Sequence, residues 1–106
     1  MRHQYRKSKY NAKRTEYNGH TYDSIREAAY ARTLDILKQA GEVVQWIPQV
    51  PFRLPGKTRY VCDFLVFYAD GRAEFVDVKG METPAFKAKK KMVEELYAPI
   101  EIKIVK

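Results

Sequence analysis

Cysteine is nearly absent from the sequence, since Cys62 is the only one among 106 residues. The chain therefore cannot form an internal disulfide, and a lone thiol is typical of a reducing compartment, so we expect a cytoplasmic location. The longest uninterrupted apolar run, Phe64 to Ala69, is far too short to cross a bilayer. Residues 1–9 are polar and basic, which predicts neither a secretory signal nor a membrane partner.

Histidines and glycine-rich loops are also scarce. His3 and His20 have no cysteine partners and no ligand spacing, which argues against a zinc site. Ser8 and Ser24 lack a neighbouring histidine–acid signature, and no glycine-rich phosphate loop occurs. These absences argue against a zinc enzyme, a serine hydrolase and a P-loop nucleotide-binding protein.

Positive charge is abundant and clustered. The formal net charge is +7, which favours polyanionic partners, mainly nucleic acid. One group of basic residues precedes the first acid, Glu16, and consists of Arg2, Arg6, Lys7, Lys9, Lys13 and Arg14. A second group consists of Lys87, Lys89, Lys90 and Lys91. The alternative is that the two groups are a solvated tail and a solvated helix face.

The chain has the length of one domain, and apolar residues make up 45% of it, enough for one core. We expect residues 1–13 to form a flexible basic arm and residues 14–106 to form a single domain. Asn18-Gly19 is a strong signal for a small hairpin. Ser24 and Glu27 form a capping-box pattern that opens a helix.

The remaining pattern predicts three strands, a helix and a final strand. The strands are expected at 43–53, 59–68 and 72–79, the helix at 84–97 and the last strand at 100–105. We expect the helix to bury Phe86, Val93, Leu96 and Tyr97. The predicted fold class is therefore α/β, or more narrowly α+β with a mixed sheet.

Two acids lie in the apolar strands, and the turn between the strands decides whether they meet. With a three-residue turn at 69–71, Asp63 lies opposite Asp77, and Gly71 takes the left-handed position that such turns favour. With a two-residue turn, Asp63 would pair with Val78 and Asp77 would point to the other face. We predict the longer turn, because directly opposed carboxylates about 5 Å apart can share one cation.

Asp77-Val78-Lys79 ends the last of these three strands and places Asp77 and Lys79 on one face. Buried charges need a partner or a metal, and the acids outnumber the lysine, so a divalent ion is expected. Oxygen-only ligands favour Mg²⁺ or Mn²⁺. The alternatives are a structural ion pair between Asp63 and Lys79, or a backbone bond to Asp63, and for Glu27 a cap on Ser24. The pattern is typical of a metal site that cuts phosphodiesters.

Glu27, Asp63 and Asp77-Val78-Lys79, placed on helix, strand and strand, resemble the PD-(D/E)XK nuclease superfamily, whose core has the order αβββαβ. A small phage-associated branch, often compared with Holliday-junction resolvases, is similar in further segments, namely Lys9-Tyr10-Asn11-Ala12-Lys13, Asn18-Gly19, Tyr22-Asp23-Ser24 and Gly80 after Lys79. The sequence departs from the superfamily motif at Cys62, where proline is usual.

The resemblance implies a restriction-endonuclease-like core and a metal-dependent DNA endonuclease, acting on branched or structured DNA in a phage-infected cell. Asp63 and Asp77 would hold Mg²⁺ with help from the backbone carbonyl of Val78, and Glu27 would bind the metal or its water. Lys79 would orient the attacking water and stabilise charge on the phosphate. A homodimer is also implied, although no segment of the sequence marks an interface.

The expected DNA contacts come from both basic groups. The helix that carries the second group begins soon after Lys79, so its lysines are expected near the phosphate. The candidate DNA-binding residues are Lys87, Lys90, Lys91, Lys13, Arg14 and Gln49. The alternative function is a non-catalytic nucleic-acid-binding module that retains the nuclease fold.

Overall fold

The computed structural model describes residues 13–106, and that part of the chain contains six strands and two helices. They are β1 (Thr15–Tyr17), β2 (His20–Tyr22), α1 (Ile25–Gln39), β3 (Val43–Leu54), β4 (Thr58–Tyr68), β5 (Ala73–Val78), α2 (Pro84–Leu96) and β6 (Ile102–Val105). The predicted mixed α+β class is confirmed. The predicted basic arm at 1–13 falls almost wholly outside the described residues and stays a prediction.

The strands form two sheets. A short antiparallel ribbon pairs β1 with β2, and a four-stranded sheet has the order β3-β4-β5-β6. In the larger sheet β3, β4 and β5 are antiparallel neighbours, whereas β5 and β6 are parallel. Parallel neighbours cannot be joined by a tight turn, so α2 carries the chain from the end of β5 to the start of β6.

Both helices begin where the sequence signals place them. The Ser24 hydroxyl accepts a hydrogen bond from the N–H of Glu27 at 3.1 Å, and the Thr83 hydroxyl accepts one from Phe86 at 3.1 Å. Each cap satisfies an amide that has no partner within the helix. Helix α1 ends at Gln39 with Ala40 as its C-cap, and the following Gly41 has a positive φ of 84°, which suits glycine and redirects the chain into β3.

Two apolar clusters hold the fold together. The first packs α1 against β4 and β5, with Leu34, Phe64 and Val76 fully buried. The second packs α2 against the β3–β4 hairpin and β6, with Cys62 and Val93 fully buried. Strand β4 therefore contributes to both clusters, and the change from one cluster to the other occurs at Asp63, between Cys62 and Phe64.

The prediction that α2 buries Leu96 is wrong. Leu96 is 55% exposed, whereas Val93 is buried and Phe86 and Tyr97 pack against the second cluster. At 100° per residue, Leu96 lies about 80° around the helix from Phe86, outside the narrow face that meets the sheet. No helix among residues 13–106 is both long and apolar enough to cross a membrane.

Candidate active site

The turn between β4 and β5 sets the register of the two strands. The N–H of Tyr68 donates to the carbonyl of Arg72 at 2.9 Å, and the N–H of Gly71 donates to the carbonyl of Tyr68 at 3.1 Å. Gly71 has a φ of 94°, in the left-handed region. The turn therefore contains the three residues 69–71, and the prediction of the longer turn is confirmed.

Two acidic residues lie next to the last paired residues of β4 and β5. The last paired residues are Phe64 and Val76, so continuing that register places Asp63 opposite Asp77. The N–H of Asp63 donates to Oδ1 of Asp77 at 2.8 Å, and the N–H of Val78 donates to Oδ2 of Asp63 at 2.9 Å. Each acid thus accepts a hydrogen bond from a backbone amide of the opposite strand. For Asp63, a hydrogen bond with the backbone was one of the alternatives to a metal site.

Asp77 is the more deeply buried of the two acids, with only 1% of its surface exposed. Burial raises the pKa of Asp77, and the hydrogen bond from the N–H of Asp63 and the charges of Lys79 and Lys90 partly offset that rise. Burial also raises the pKa of Asp63, and the N–H of Val78 and the charge of Lys79 oppose that rise. Oδ2 of Asp77 has no hydrogen-bond partner, so this pair leaves a buried anionic oxygen unsatisfied.

Glu27 adds a third acid from the first turn of α1. Its side chain is 7% exposed, and burial, together with the charges of Asp63 and Asp23, raises its pKa to about 8. The backbone amide of Asp23 opposes that shift. Oε1 of Glu27 is buried without a partner. The side chains of Glu27 and Asp63 are close enough to share a proton, so the Ser24 cap is not the whole role of this residue.

Lys79 follows directly on β5. Its N–H donates to the carbonyl of Val105 at 2.9 Å, which anchors the end of β5 to β6. Its Nζ lies 4.8 Å from the ring centroid of Phe86, so the first turn of α2 supports the ammonium group. Lys79 acts electrostatically on both Asp63 and Asp77. The predicted residues Glu27, Asp63, Asp77 and Lys79 therefore lie in one region.

The donors of this region suit a hard divalent cation by their chemistry, because they are carboxylate oxygens. The unpartnered oxygens of Glu27 and Asp77 are the atoms that such a cation would satisfy. Across residues 13–106, however, no three acidic, histidine or cysteine side chains are arranged to ligate one ion together. The N–H of Val78 donates a hydrogen bond to Asp63, and the predicted role of the Val78 carbonyl as a metal ligand stays a prediction.

The predicted DNA-binding residues lie in different surroundings. Lys87 and Lys91 are exposed on α2. Lys13 and Arg14, which precede β1, are also exposed. Lys90 is half-buried and its Nζ lies 3.1 Å from Glu94, which also accepts a hydrogen bond from the N–H of Ile102. Lys90 thus belongs to the packed side of the helix.

Gln49 lies next to the acids. Its neighbours Pro48 and Val50 pair with Phe64 and Cys62, which places Gln49 opposite Asp63 in the β3–β4 register. Gln49 is exposed and has a φ of 60°, a conformation that is uncommon for a residue other than glycine. Gln49 therefore borders the acidic region from β3.

Two residues of the region were not predicted. Asp23 affects the pKa of both Glu27 and Asp63. The guanidinium of Arg26 lies against Gly80, with Cζ and Nε each 3.5 Å from the position that a Cβ would take there. Asp23 directly precedes the Ser24 cap, so its closeness to Glu27 could have been inferred from the local sequence. No local signal links Arg26 to Gly80, which lies far along the chain.

The fold and the site define a mixed α+β protein in which two buried acids, Glu27 and Asp77, and the half-buried Asp63 lie near Lys79. The chain belongs to the family described as protein of unknown function (DUF1064), whose model matches residues 7–106. Among curated proteins, none matches the chain.

Proposed function

We propose that this protein is a Mg²⁺- or Mn²⁺-dependent DNA endonuclease with a restriction-endonuclease-like core of the PD-(D/E)XK superfamily. The observation that carries the proposal is the grouping of the buried Glu27 and Asp77 and the half-buried Asp63 near Lys79. Two of these acids keep a buried oxygen with no protein partner.

Charge supports the same function. Three carboxylates are opposed by two lysines, Lys79 and Lys90, and burial raises the pKa of each acid, so the ionised cluster is unfavourable when only protein groups surround it. A structural role would be served better by neutral hydrogen-bonding side chains, since buried charge costs free energy unless it is compensated. A divalent cation compensates the surplus of negative charge.

The roles of the residues follow from their positions. Asp77 would hold the ion through Oδ2, and Glu27 through Oε1, while Asp63 completes the acidic wall. A bound Mg²⁺ supplies charge neutralisation at the phosphate and a lowered pKa for an attacking water. Lys79, whose Nζ lies over the Phe86 ring, would donate a hydrogen bond to a phosphate oxygen beside the acids.

A basic surface supports nucleic acid as the substrate. The chain carries a net charge of +7, and the exposed Lys87 and Lys91 lie on the helix that begins five residues after Lys79. Such lysines bind phosphates without reading sequence. Branched DNA, a two-fold dimer and a cytoplasmic setting belong to the proposal, the last because Cys62 is a free, buried thiol.

The reciprocal hydrogen bonds favour one alternative. Asp63 and Asp77 each bind an amide of the neighbouring strand, so both acids also serve the fold. A nucleic-acid-binding module without catalytic activity would keep them for that reason. Such a module would bind DNA in a salt-sensitive manner that is indifferent to divalent ions and to Asp77.

The test is a cleavage panel of linear, supercoiled, single-stranded, flap and four-way DNA with Mg²⁺ or Mn²⁺. Asp77→Asn and Lys79→Ala are expected to abolish cleavage while DNA binding persists. The matched controls are Glu101→Gln and Lys89→Ala, since both side chains are exposed. Wild-type protein that binds these DNAs but cuts none with either metal would favour the module and overturn the nuclease.

A further inference from the structure

Arg26 holds its guanidinium group in an unusual place. It lies in the first turn of α1 beside Glu27, and its side chain reaches across to the loop after β5. The guanidinium Cζ and Nε lie 3.5 Å, and Nη2 lies 3.7 Å, from the position of a Cβ at Gly80. Gly80 directly follows Lys79, so Arg26 borders the acidic region on the side of the lysine.

The guanidinium has no partner of its own within residues 13–106. It makes no hydrogen bond or ion pair there, although Asp23 and Glu27 are close in sequence. Arg26 is exposed, so its five N–H donors face solvent instead of a carboxylate. A planar cation next to Gly80, with its donors unused, is suited to a planar or tetrahedral anion such as phosphate.

Gly80 leaves space for this arrangement. A methyl group there would make ordinary contact with the guanidinium at 3.5 Å, so alanine is tolerated. A larger side chain would extend into the volume that the guanidinium occupies and would displace it. A large side chain at position 80 is therefore a way to move the guanidinium while Arg26 itself is kept.

We propose that Arg26 binds the non-bridging oxygens of a nucleic-acid phosphate that lies against Glu27, Asp77 and Lys79. This inference rests on the proposed function for the identity of that phosphate. The acids of the site repel a phosphate, and Lys79 is the cation that acts on both Asp63 and Asp77. Arg26 supplies a further positive charge next to Gly80, where a two-pronged contact orients the phosphate as well as attracting it.

The test compares Arg26→Ala with Arg32→Ala in DNA-binding titrations at several salt concentrations, with Ca²⁺ in place of Mg²⁺. Arg32 is an exposed arginine of the same helix, which makes it the matched control. Arg26→Ala is expected to weaken binding about tenfold and to reduce the salt slope by about one, whereas Arg32→Ala changes neither. Arg26→Lys is expected to keep the slope but to lose part of the affinity.

Two further measurements locate the contact. Gly80→Leu retains the arginine but displaces it, and we expect affinity to fall as it does for Arg26→Ala, whereas Gly80→Ala stays close to wild type. A scan of single methylphosphonates across the bound DNA removes one phosphate charge at a time. One position should weaken wild-type binding but leave Arg26→Ala unaffected, since the two changes remove the same contact.

The outcomes separate this inference from the proposed function. Equal affinities and slopes for Arg26→Ala and Arg32→Ala would overturn the role of Arg26, whether or not the wild type cleaves DNA. Wild-type protein that binds DNA but never cleaves it would overturn the nuclease proposal. The affinities of Arg26→Ala and Arg32→Ala would then still decide whether Arg26 contacts a phosphate. Wild-type protein without measurable DNA affinity would overturn both.

Discussion

Asp63 and Asp77 bind each other's strands rather than each other. The N–H of Asp63 donates to Oδ1 of Asp77, and Oδ2 of Asp63 accepts from the N–H of Val78. The same two carboxylates therefore close the β4–β5 ladder and form one wall of the candidate active site. Each of these side chains has a structural role and a proposed functional role. Substitutions that remove only the charge, or the charge together with the hydrogen bond, should distinguish the two roles.

The first prediction uses this separation at Asp77. In EDTA, Asp77→Asn should be at least as stable as wild type, because an amide oxygen can still accept from Asp63 and no buried charge remains. Asp77→Ala should be less stable than Asp77→Asn by about 1–3 kcal/mol, because the N–H of Asp63 then loses its acceptor. Urea denaturation measures both, and equal stabilities for the two variants would contradict the structural role.

The second prediction concerns pH and Glu27. Burial raises the pKa of Glu27 to about 8 from an ordinary value of 4.5, so the folded state holds its proton more tightly than the unfolded state does. The stability contributed by the protonated acid is therefore complete at low pH and is lost as pH rises through about 8. Glu27→Gln keeps its neutral side chain and should be more stable than wild type by at least about 1 kcal/mol near pH 9.

Denaturant unfolding in EDTA, at about pH 5 and about pH 9, measures this difference. Asp63 and Asp77 also have raised pKa values, so Glu27→Gln should flatten the pH dependence without abolishing it. Glu16→Gln is the control, because Glu16 is exposed. A pH dependence that is the same in wild type and Glu27→Gln would show that Glu27 is not buried as an acid.

The third prediction distinguishes the lysines of α2. Lys87→Ala and Lys91→Ala should each reduce the salt slope of DNA binding by about one, because both side chains are exposed and free to neutralise phosphates. Lys90→Ala should change the slope less, because Glu94 already pairs with that lysine. Lys89, about 160° around the helix from Lys91, should have little effect. A Lys90 effect as large as that of Lys87 would contradict this assignment.

The fourth prediction concerns Asp35, which joins three elements outside the site. Its carboxylate accepts hydrogen bonds from the Tyr17 hydroxyl at 2.7 Å and from Nε1 of Trp46 at 2.9 Å. Asp35→Ala leaves two part-buried donors unpaired and should cost about 1–3 kcal/mol. The change should also shift the fluorescence of Trp46, which is the only tryptophan.

Thermal unfolding and tryptophan emission check this role. Tyr17→Phe is the milder comparison, because it removes one of the two donors and leaves the bond to Trp46 in place. Emission that is unchanged in Asp35→Ala would mean that the indole does not depend on this carboxylate.

Local chemistry made much of the fold predictable. Ser24 and Thr83 cap their helices because a short hydroxyl reaches an amide three residues ahead, which needs no information from elsewhere in the chain. Gly71 sets a three-residue turn for the same reason, and that turn places Asp63 opposite Asp77. The pairing of two acids fourteen residues apart was thus readable from the residues between them.

Packing decided the features that local chemistry does not encode. Leu96 is exposed because α2 meets the sheet on a narrower face than its apolar pattern suggests. Lys90 pairs with Glu94 on the packed side of that helix, and its charge acts on Asp77. The i,i+4 spacing allows the Lys90–Glu94 pair, but which face of α2 meets the sheet, and that Lys90 lies near Asp77, depends on the packing.

The amino-acid order alone specified where the elements begin, how β4 and β5 pair, and which acids face each other, because caps and turns are short-range interactions. The three-dimensional arrangement specified how deeply Glu27 and Asp77 are buried, and it brought Arg26 against Gly80 from opposite halves of the chain. Burial and electrostatic coupling depend on every group packed around a site, and those groups meet only when the helices close onto the sheet.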